Sequence, residues 1–167
     1  MVAKTFGSAV SGVDAKLITI EVNVGQGTSF FMVGLPDSAV KESQQRVESA
    51  LKYYGYRMPR QKVVINLAPA DIKKEGSSYD LPIAIGIMQA SEQVVFPEME
   101  KYVIMGELAL DGKLRRIKGV LPIAIEARKK GFKGFILPKE NAKEASIVNN
   151  LDVIPVETLQ EAIHFLL

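Results

Sequence analysis

The chain has 167 residues and a mass of 18.3 kDa, the length of one ordinary domain, which excludes a second large domain. Its residues are 47% hydrophobic and 24% charged, so it is neither a disordered tail nor a fibrous repeat and is expected to fold alone. The net charge of +2 is too small for the overall field of a dedicated nucleic-acid-binding protein, although it leaves room for a local basic patch.

Several kinds of chemistry are excluded by residue types that are missing or rare. The absence of cysteine excludes a disulfide framework, a cysteine-ligated metal and a thiol nucleophile. With a single histidine, His164, neither a histidine metal cage nor a Ser-His-Asp triad is expected, and no carboxylate spacing suggests a metal site. No apolar run reaches the length of a membrane span and no signal-peptide pattern is present, so we predict a cytoplasmic protein without membrane contact.

The first half of the chain predicts strands and two helices. The predicted strands cover 18–24, 30–33 and 62–67, and the predicted helices begin after Asp37 and at Asp80. Gly25-Gln26-Gly27 between the first two strands predicts a hairpin, and Gly55 ends the first helix. Apolar residues on nearly every side of the second helix predict that it is buried on more than one face.

The second half alternates strands and helices. The predicted elements are a strand over 102–110, a helix over 119–130, a strand over 135–137, a helix over 140–148, a strand over 153–155 and a helix over 157–166. Asp111-Gly112, flanked by leucines, is the strongest hairpin signal in the chain. Together these elements predict one α+β domain over 1–167, a mixed α/β sheet with helices packed on it.

The loop before the second helix is the first candidate site. Its lysines, glycine and serines predict an anion-binding loop, in which backbone N–H groups and the helix dipole assist the side chains. These residues are Lys73, Lys74, Gly76, Ser77 and Ser78. The alternative is structural, with Gly76 making the turn and Ser77, Ser78 or Asp80 capping the helix. Neither the P-loop pattern nor G-x-G-x-x-G occurs, so a nucleotide site at this loop is a third and weaker reading.

Basic residues concentrate between positions 107 and 133, where eight of them stand against three acidic ones. The predicted DNA-contacting residues are Lys113, Arg115, Arg116 and Lys118. The alternative is a solvated face that complements a helix C-terminus, because no aromatic residues interleave with these cations. A second cluster, Tyr53, Tyr54 and Tyr56, is expected to pack in the core, with an exposed partner surface as the alternative.

Three long segments carry a family resemblance. Residues 33–51, 65–88 and 106–145, which include VGLPDSAVKESQQRV, INLAPADIKKEGSSYDLPIA and GELALDGKLRRIKGVLPIA, resemble the N-terminal domain of the YifB/ComM family of magnesium chelatase-like (ChlI-type) AAA+ ATPases. The resemblance implies a Lon-protease proteolytic-domain-like fold in a hexameric, bacterial DNA-processing motor connected with competence and branch migration. It implies a non-catalytic accessory domain that helps assemble the hexamer and contacts DNA. ATP and Mg are expected in a separate ATPase module absent from this chain, and no cofactor is expected in this domain.

The Lon resemblance also makes a residue-level statement about peptidase chemistry. Laying 74–80 on the Lon pattern P-K-D-G-P-S-A-G puts Ser78 at the nucleophile position, and laying 106–112 on G-E-[IV]-T-L-x-G puts Leu121 where the basic lysine belongs. Leucine cannot accept a proton, and Lys118, three residues earlier, is expected to be solvated and protonated. We therefore predict a pseudo-peptidase without catalytic residues. A Ser-Lys peptidase using Ser78 is the disfavoured alternative.

Overall fold

A computed structural model describes all residues, 1–167, and contains nine strands and six α-helices. The strands are β1 (Val2–Ser11), β2 (Asp14–Gly25), β3 (Phe30–Val33), β4 (Lys62–Ala68), β5 (Tyr102–Ile104), β6 (Glu107–Leu108), β7 (Leu114–Arg115), β8 (Gly134–Pro138) and β9 (Asp152–Val156). The helices are α1 (Ser38–Lys41), α2 (Ser43–Tyr53), α3 (Asp80–Ala90), α4 (Val120–Lys129), α5 (Lys139–Ala145) and α6 (Leu159–Leu166). The predicted α+β class is confirmed.

Seven strands form one mixed sheet in the order β3-β4-β2-β1-β5-β8-β9, and β6 and β7 form a separate two-stranded ribbon. The pairs β1–β2 and β2–β4 are antiparallel, whereas the other four pairs are parallel. β1 pairs with β2 along its whole length but meets β5 only at Phe6 and Val103. The sheet therefore consists of two well-paired halves that join at one short seam.

The core lies between the sheet and its helices, and α3 is its centre. Every residue of α3 except Gln89 is buried, which agrees with the apolar pattern around the whole helix. α3 packs on β1 and β2, and Gly86 allows this close approach because a Cβ there would lie 2.8 Å from a methyl carbon of Val22. No helix in the structure is long and apolar enough to cross a bilayer.

The predicted hairpin between 18–24 and 30–33 is wrong. β2 and β3 do not pair, because β4 lies between them and forms the ladder with both. The chain does reverse direction at Gly25 and Gly27. After the reversal, however, β3 lies on the far side of β4 and not next to β2. The observed hairpin joins β1 to β2 through Gly12, whose φ of 63° lies in the left-handed region that glycine favours.

Other predicted elements are confirmed with small changes. Asp37 caps α1 by accepting a hydrogen bond from the Val40 N–H at 2.8 Å, but the predicted single helix is interrupted before Ser43 and continues as α2. The predicted strand over 102–110 is interrupted at Met105 and Gly106, giving β5 and β6. The Asp111-Gly112 turn joins β6 to β7 as predicted.

Candidate functional site

A cleft of about 540 Å³ lies where β1, the loop before α3 and the segment before α4 meet. Its lining includes the predicted nucleophile Ser78 and its neighbour Ser77, together with Arg116 and Lys118 from the predicted basic surface. The two groups of residues singled out in the sequence, which are about 40 positions apart, thus share one cavity. Asp37, Glu75 and Glu107 also line it, so carboxylates face the same space as the cations.

Lys74 belongs to the predicted anion-binding loop but is fully buried. Its ammonium group donates hydrogen bonds to the carbonyl oxygens of Gly34, at 2.7 Å, and Pro69. Burial lowers the pKa of Lys74, an effect opposed by the charge of Asp71. This ammonium serves to join the chain segments after β3 and β4, and it is not directed at a ligand in the cleft. Its position takes Lys74 out of the predicted anion-binding group.

Backbone contacts connect the same two segments. The Lys74 N–H donates to the Leu35 carbonyl at 3.0 Å, and the Asp37 N–H donates to the Lys74 carbonyl at 2.9 Å. The Asp37 carboxylate, which caps α1, also accepts from the Gly76 N–H at 3.2 Å. Gly34 is required here, because a Cβ on it would overlap the carbonyl group of Leu67. The loop that carries Ser77 and Ser78 is therefore fixed to the first turn of α1.

Asp80 does not cap α3, contrary to the sequence prediction. Tyr79 occupies the capping position without a side-chain hydrogen bond, and the buried Asp80 carboxylate turns toward α2 and β6. It accepts hydrogen bonds from Arg46 Nε at 2.7 Å and Nη2 at 3.1 Å, from the Ser43 hydroxyl, and from the Leu108 N–H at 3.0 Å. Burial raises the pKa of Asp80, whereas the hydrogen bonds from Arg46 and Ser43 lower it. The Arg46–Asp80 ion pair attaches α3 to α2, and the hydrogen bond from Leu108 to the same carboxylate attaches the β6–β7 hairpin as well.

The two serines of the cleft have different surroundings. Ser77 donates a hydrogen bond to the Glu107 carboxylate, which also lies 3.5 Å from Arg115. The Ser78 side chain makes no hydrogen bond, and only its carbonyl is used, as acceptor for the Gly106 N–H at 2.8 Å. Tyr79, which is 2% exposed, closes the inner wall, and burial raises the pKa of its phenol. No base is hydrogen-bonded to the Ser78 hydroxyl.

The two candidates for the missing base lie in different environments. Lys118 lines the cleft with Ser78, but its side chain is exposed and forms no ion pair. Leu121, in the first turn of α4, is partly buried against the core and does not line the cleft. A lysine acting as a general base must lose its proton near neutral pH, which requires a desolvated ammonium group. Neither Lys118 nor Leu121 supplies a desolvated ammonium group.

The predicted DNA-contacting residues fall into two pairs. Carboxylates lie near the cations of the first pair and not near those of the second. Lys113 lies 4.0 Å from Asp111 and Arg115 lies 3.5 Å from Glu107, so carboxylates on the same hairpin offset both cations. Arg116 and Lys118 are exposed and have no ion-pair partner. The hairpin itself is fixed, because Tyr54 packs on Gly112 and the Leu159 N–H donates to the Gly112 carbonyl at 2.8 Å.

Several residues that build the site were missed from the sequence. Ser43 and Arg46 are three positions apart on α2 and so share a face, but nothing local indicates that a carboxylate 34 residues beyond Arg46 meets them. Glu107 is one of three acidic residues in the basic 107–133 stretch, and its hydrogen bond with Ser77 depends on the tertiary fold.

The mixed sheet and the serine-bearing loop before α3 agree with the Lon-like fold that the sequence resembles. The family model described as "ChlI: Subunit ChlI of Mg-chelatase" matches residues 20–141, and the chain belongs to this Mg-chelatase-like family. It is 44% identical over 165 residues, 98% of its length, to the competence protein ComM of Haemophilus influenzae. It is 45% identical over 159 residues, 95% of its length, to YifB of Escherichia coli.

A more distant likeness supports the fold assignment. Lon protease 2 of Bacillus subtilis is 29% identical over 127 residues, which are 75% of this chain and 22% of that protease. The chain spans 32% of ComM and 31% of YifB, so it corresponds to about a third of these relatives. The predicted ComM/YifB family membership and Lon-like fold are confirmed.

Proposed function

We propose that this domain is a non-catalytic accessory domain of a Mg-chelatase-like AAA+ ATPase that acts on DNA in the cytoplasm. The observation that carries the proposal is the cleft at Ser78, where the nucleophile loop is present but Leu121 packs against the core and Lys118 is solvated. ATP and Mg would then be bound by the ATPase module of the longer protein. The name of the relative ComM connects that protein with competence.

Loss of peptidase activity is tested directly at the serine. We expect unfolded casein to remain intact with the wild-type chain and with Ser78→Ala, because no group near the hydroxyl can remove its proton. Lys118→Ala is the matched variant for the remaining cation of the cleft. Cleavage by the wild type that is lost in both variants would overturn the proposal and establish a Ser78–Lys118 pair.

The DNA contact is proposed for the exposed cations that line the cleft. Arg116 and Lys118 carry the argument, because their charges are exposed and unpaired, whereas Lys113 and Arg115 have carboxylate neighbours. Duplex DNA should bind weakly at low salt, with log affinity falling linearly against log salt. Reversing both charges, Arg116→Glu and Lys118→Glu, should flatten that slope by about 1.8, which is about 0.9 for each phosphate contact.

The matched control for this experiment is the pair Lys113→Glu and Arg115→Glu, which should flatten the slope less. Equal effects of the two pairs would mean that the carboxylates do not offset their neighbours. Absence of duplex binding by the wild type at low salt would remove DNA contact from the proposal and leave an assembly module.

Assembly is proposed through the edge of the sheet formed by β3. One side of β3 is unpaired, and Phe31, Val33 and Leu35 are 49%, 46% and 55% exposed along it. Leu35 has a left-handed φ of 57°, fixed by the hydrogen bond between its carbonyl and Lys74. An open apolar edge of this kind favours association with another protein surface. Sedimentation should show self-association of the wild type that Val33→Glu abolishes, and a wild type monomeric at every concentration would contradict this part of the proposal.

A further inference from the structure

A second basic surface lies away from the cleft, along the segment between α2 and β4. Residues 52–62 read KYYGYRMPRQK, in which three tyrosines lie between Lys52 and Arg57, and Arg60 and Lys62 follow. They border a groove of about 770 Å³, which we call the basic groove. Its cationic lining residues are Lys52, Arg57 and Arg60, with Glu48 as the single acidic one.

The charges of this segment are uncompensated. Lys52, Arg57, Arg60 and Lys62 are all exposed, and none of them is an ion-pair partner in the structure. In the 107–133 stretch, by contrast, four of the eight cations lie 3.5 to 4.0 Å from a carboxylate. Four cations within eleven residues that form no ion pair leave a positive potential that an anionic polymer would neutralise.

The segment is held in place although it has no regular secondary structure. Gln93 binds the Arg57 backbone twice, accepting from its N–H at 3.0 Å and donating to its carbonyl at 2.7 Å. Tyr56 and Met58 pack against the core, and Pro59 is buried. The backbone is thus fixed from below while the arginine side chains extend into solvent. A surface prepared in this way loses little conformational freedom when a ligand binds.

Exposed aromatic rings border the same segment. Tyr53 is 64% exposed, and its ring meets that of Tyr54 edge-on with centroids 5.0 Å apart, which fixes its position at the end of α2. At the other end of the segment, Phe31 is half-exposed and Lys62 Nζ lies 5.7 Å from its ring centroid. The core packing expected for the tyrosine cluster therefore does not hold for Tyr53.

We propose that this segment binds single-stranded nucleic acid, with the cations of the basic groove on the phosphates and with Tyr53, which lies outside the groove lining but next to Lys52 at the end of α2, stacked against a base. An exposed aromatic ring beside unpaired cations is the combination that sequence-tolerant single-strand binding uses, because every unpaired base offers a face for stacking. Bases within a duplex are already stacked on each other, so Tyr53 adds affinity for a single strand and none for a duplex. This surface is separate from Arg116 and Lys118, and the inference does not rest on the duplex contact proposed above.

The test is a titration of the 167-residue chain with a fluorescein-labelled oligothymidylate of about 16 nucleotides, followed by anisotropy at several salt concentrations. Reversal of two charges, Arg57→Glu and Arg60→Glu, should reduce the slope of log affinity against log salt by about 1.4, which is about 0.7 for each single-strand phosphate contact. Arg128→Glu with Lys129→Glu changes the net charge equally on exposed positions of α4 that do not line the groove, and should leave most of the affinity intact.

The stacking contact has its own pair of variants. Tyr53→Ala should weaken oligothymidylate binding roughly fivefold or more, whereas Tyr53→Phe keeps the ring and should bind as the wild type does. Because the chain has five tyrosines and no tryptophan, quenching of tyrosine fluorescence by the oligonucleotide should fall in Tyr53→Phe without loss of affinity.

Two results would overturn the inference: absence of oligothymidylate binding at low salt, or an equal loss of affinity in the groove variants and the α4 control. Arg116→Glu with Lys118→Glu should retain single-strand binding and lose duplex binding. If the groove fails and the duplex contact holds, the proposed function stands and the groove inference does not. The reverse result would support the groove alone.

Discussion

Charged residues are concentrated both near the first turn of α3 and in the basic groove. The charges near α3 are buried and have partners in the fold, whereas those of the groove are exposed and unpaired. At α3, Lys74 and Asp80 are fully buried and each has hydrogen-bond partners within the fold. In the basic groove, Arg57 and Arg60 are exposed and have no ionic partner. Buried charges are retained at a desolvation cost that only partners in the fold can offset, whereas unpaired surface charges cost the fold little and remain free to meet a ligand.

The largest effect that this comparison predicts is in the ion pair of Asp80. Arg46→Ala leaves the buried carboxylate without its cation and should lower the free energy of unfolding by about 3–5 kcal/mol. Glu42→Ala removes only the exposed partner of Arg46, at 3.4 Å, and should cost less than about 1 kcal/mol. Urea unfolding of both variants measures the difference. Equal losses would show that the buried Arg46–Asp80 pair stabilises the fold no more than the exposed Arg46–Glu42 pair does.

Lys74→Met should destabilise the fold at neutral pH by about 2 kcal/mol, because the carbonyl oxygens of Gly34 and Pro69 lose their donor. The size of this loss should depend on pH. Burial lowers the pKa of Lys74 in the native state, while the unfolded chain keeps a lysine pKa of about 10.4. Between those two pKa values the unfolded chain binds more protons, so the native wild type gains stability relative to Lys74→Met as the pH rises through that window.

The slope of this gain is at most about 1.4 kcal/mol per pH unit, and the comparison with Lys74→Met cancels the titration of the other lysines and tyrosines. Unfolding curves at neutral pH and near the upper limit of the window measure it. A wild type that loses stability relative to the variant as the pH rises would mean that the two carbonyls favour the charged ammonium more than burial disfavours it.

A smaller effect separates the two serines of the cleft. Ser77→Ala removes the hydrogen bond to Glu107 and should cost about 1 kcal/mol. Ser78→Ala removes a hydroxyl without a partner and should change stability by less than about 0.5 kcal/mol. Thermal unfolding distinguishes them, and a large loss in Ser78→Ala would reveal a structural contact of that hydroxyl.

The smallest effect is expected in the basic groove. Arg57→Ala and Arg60→Ala should each leave the free energy of unfolding unchanged within about 0.5 kcal/mol, since neither side chain has a partner and the Arg57 backbone stays bound to Gln93. If either variant unfolds as readily as Arg46→Ala, its cation stabilises the fold and is not reserved for a ligand.

The secondary structure was predictable where one local pattern decided it. The all-round apolar pattern identified α3 as buried, and Asp37 and Asp111-Gly112 identified a cap and a turn from neighbouring residues alone. Pairing was not predictable in the same way. β3 follows β2 closely along the chain, yet both pair with β4, whose partners are set by the packing of the whole sheet.

The site shows the same limit more sharply. The Lon resemblance put Ser78 at the nucleophile position, and Ser78 lines the cleft, but the same resemblance put Leu121 at the lysine position, and Leu121 does not line the cleft. The sequence could not indicate that Lys74 is buried or that Asp80 turns to Arg46, because a charged residue before a helix has the same local pattern whether solvent or a distant side chain receives it. For Lys74 and Asp80, the residue type indicated a charged group near the start of α3 but not the direction in which the side chain extends.

The short seam between β1 and β5 has a consequence for the dynamics of the domain. At this seam the Ser8 N–H donates to the sulfur of Met105, at 3.4 Å, and not to a backbone carbonyl. The sheet ladder therefore contributes few hydrogen bonds between the two halves, which are also bridged by α4 through its contacts with β1, β2 and β8. We expect β1 amides that face β5 to exchange with solvent hydrogen faster than those that face β2. Because Ser8 and Met105 also line the cleft, we expect a fluctuation that parts the seam to widen the cleft that contains Ser78.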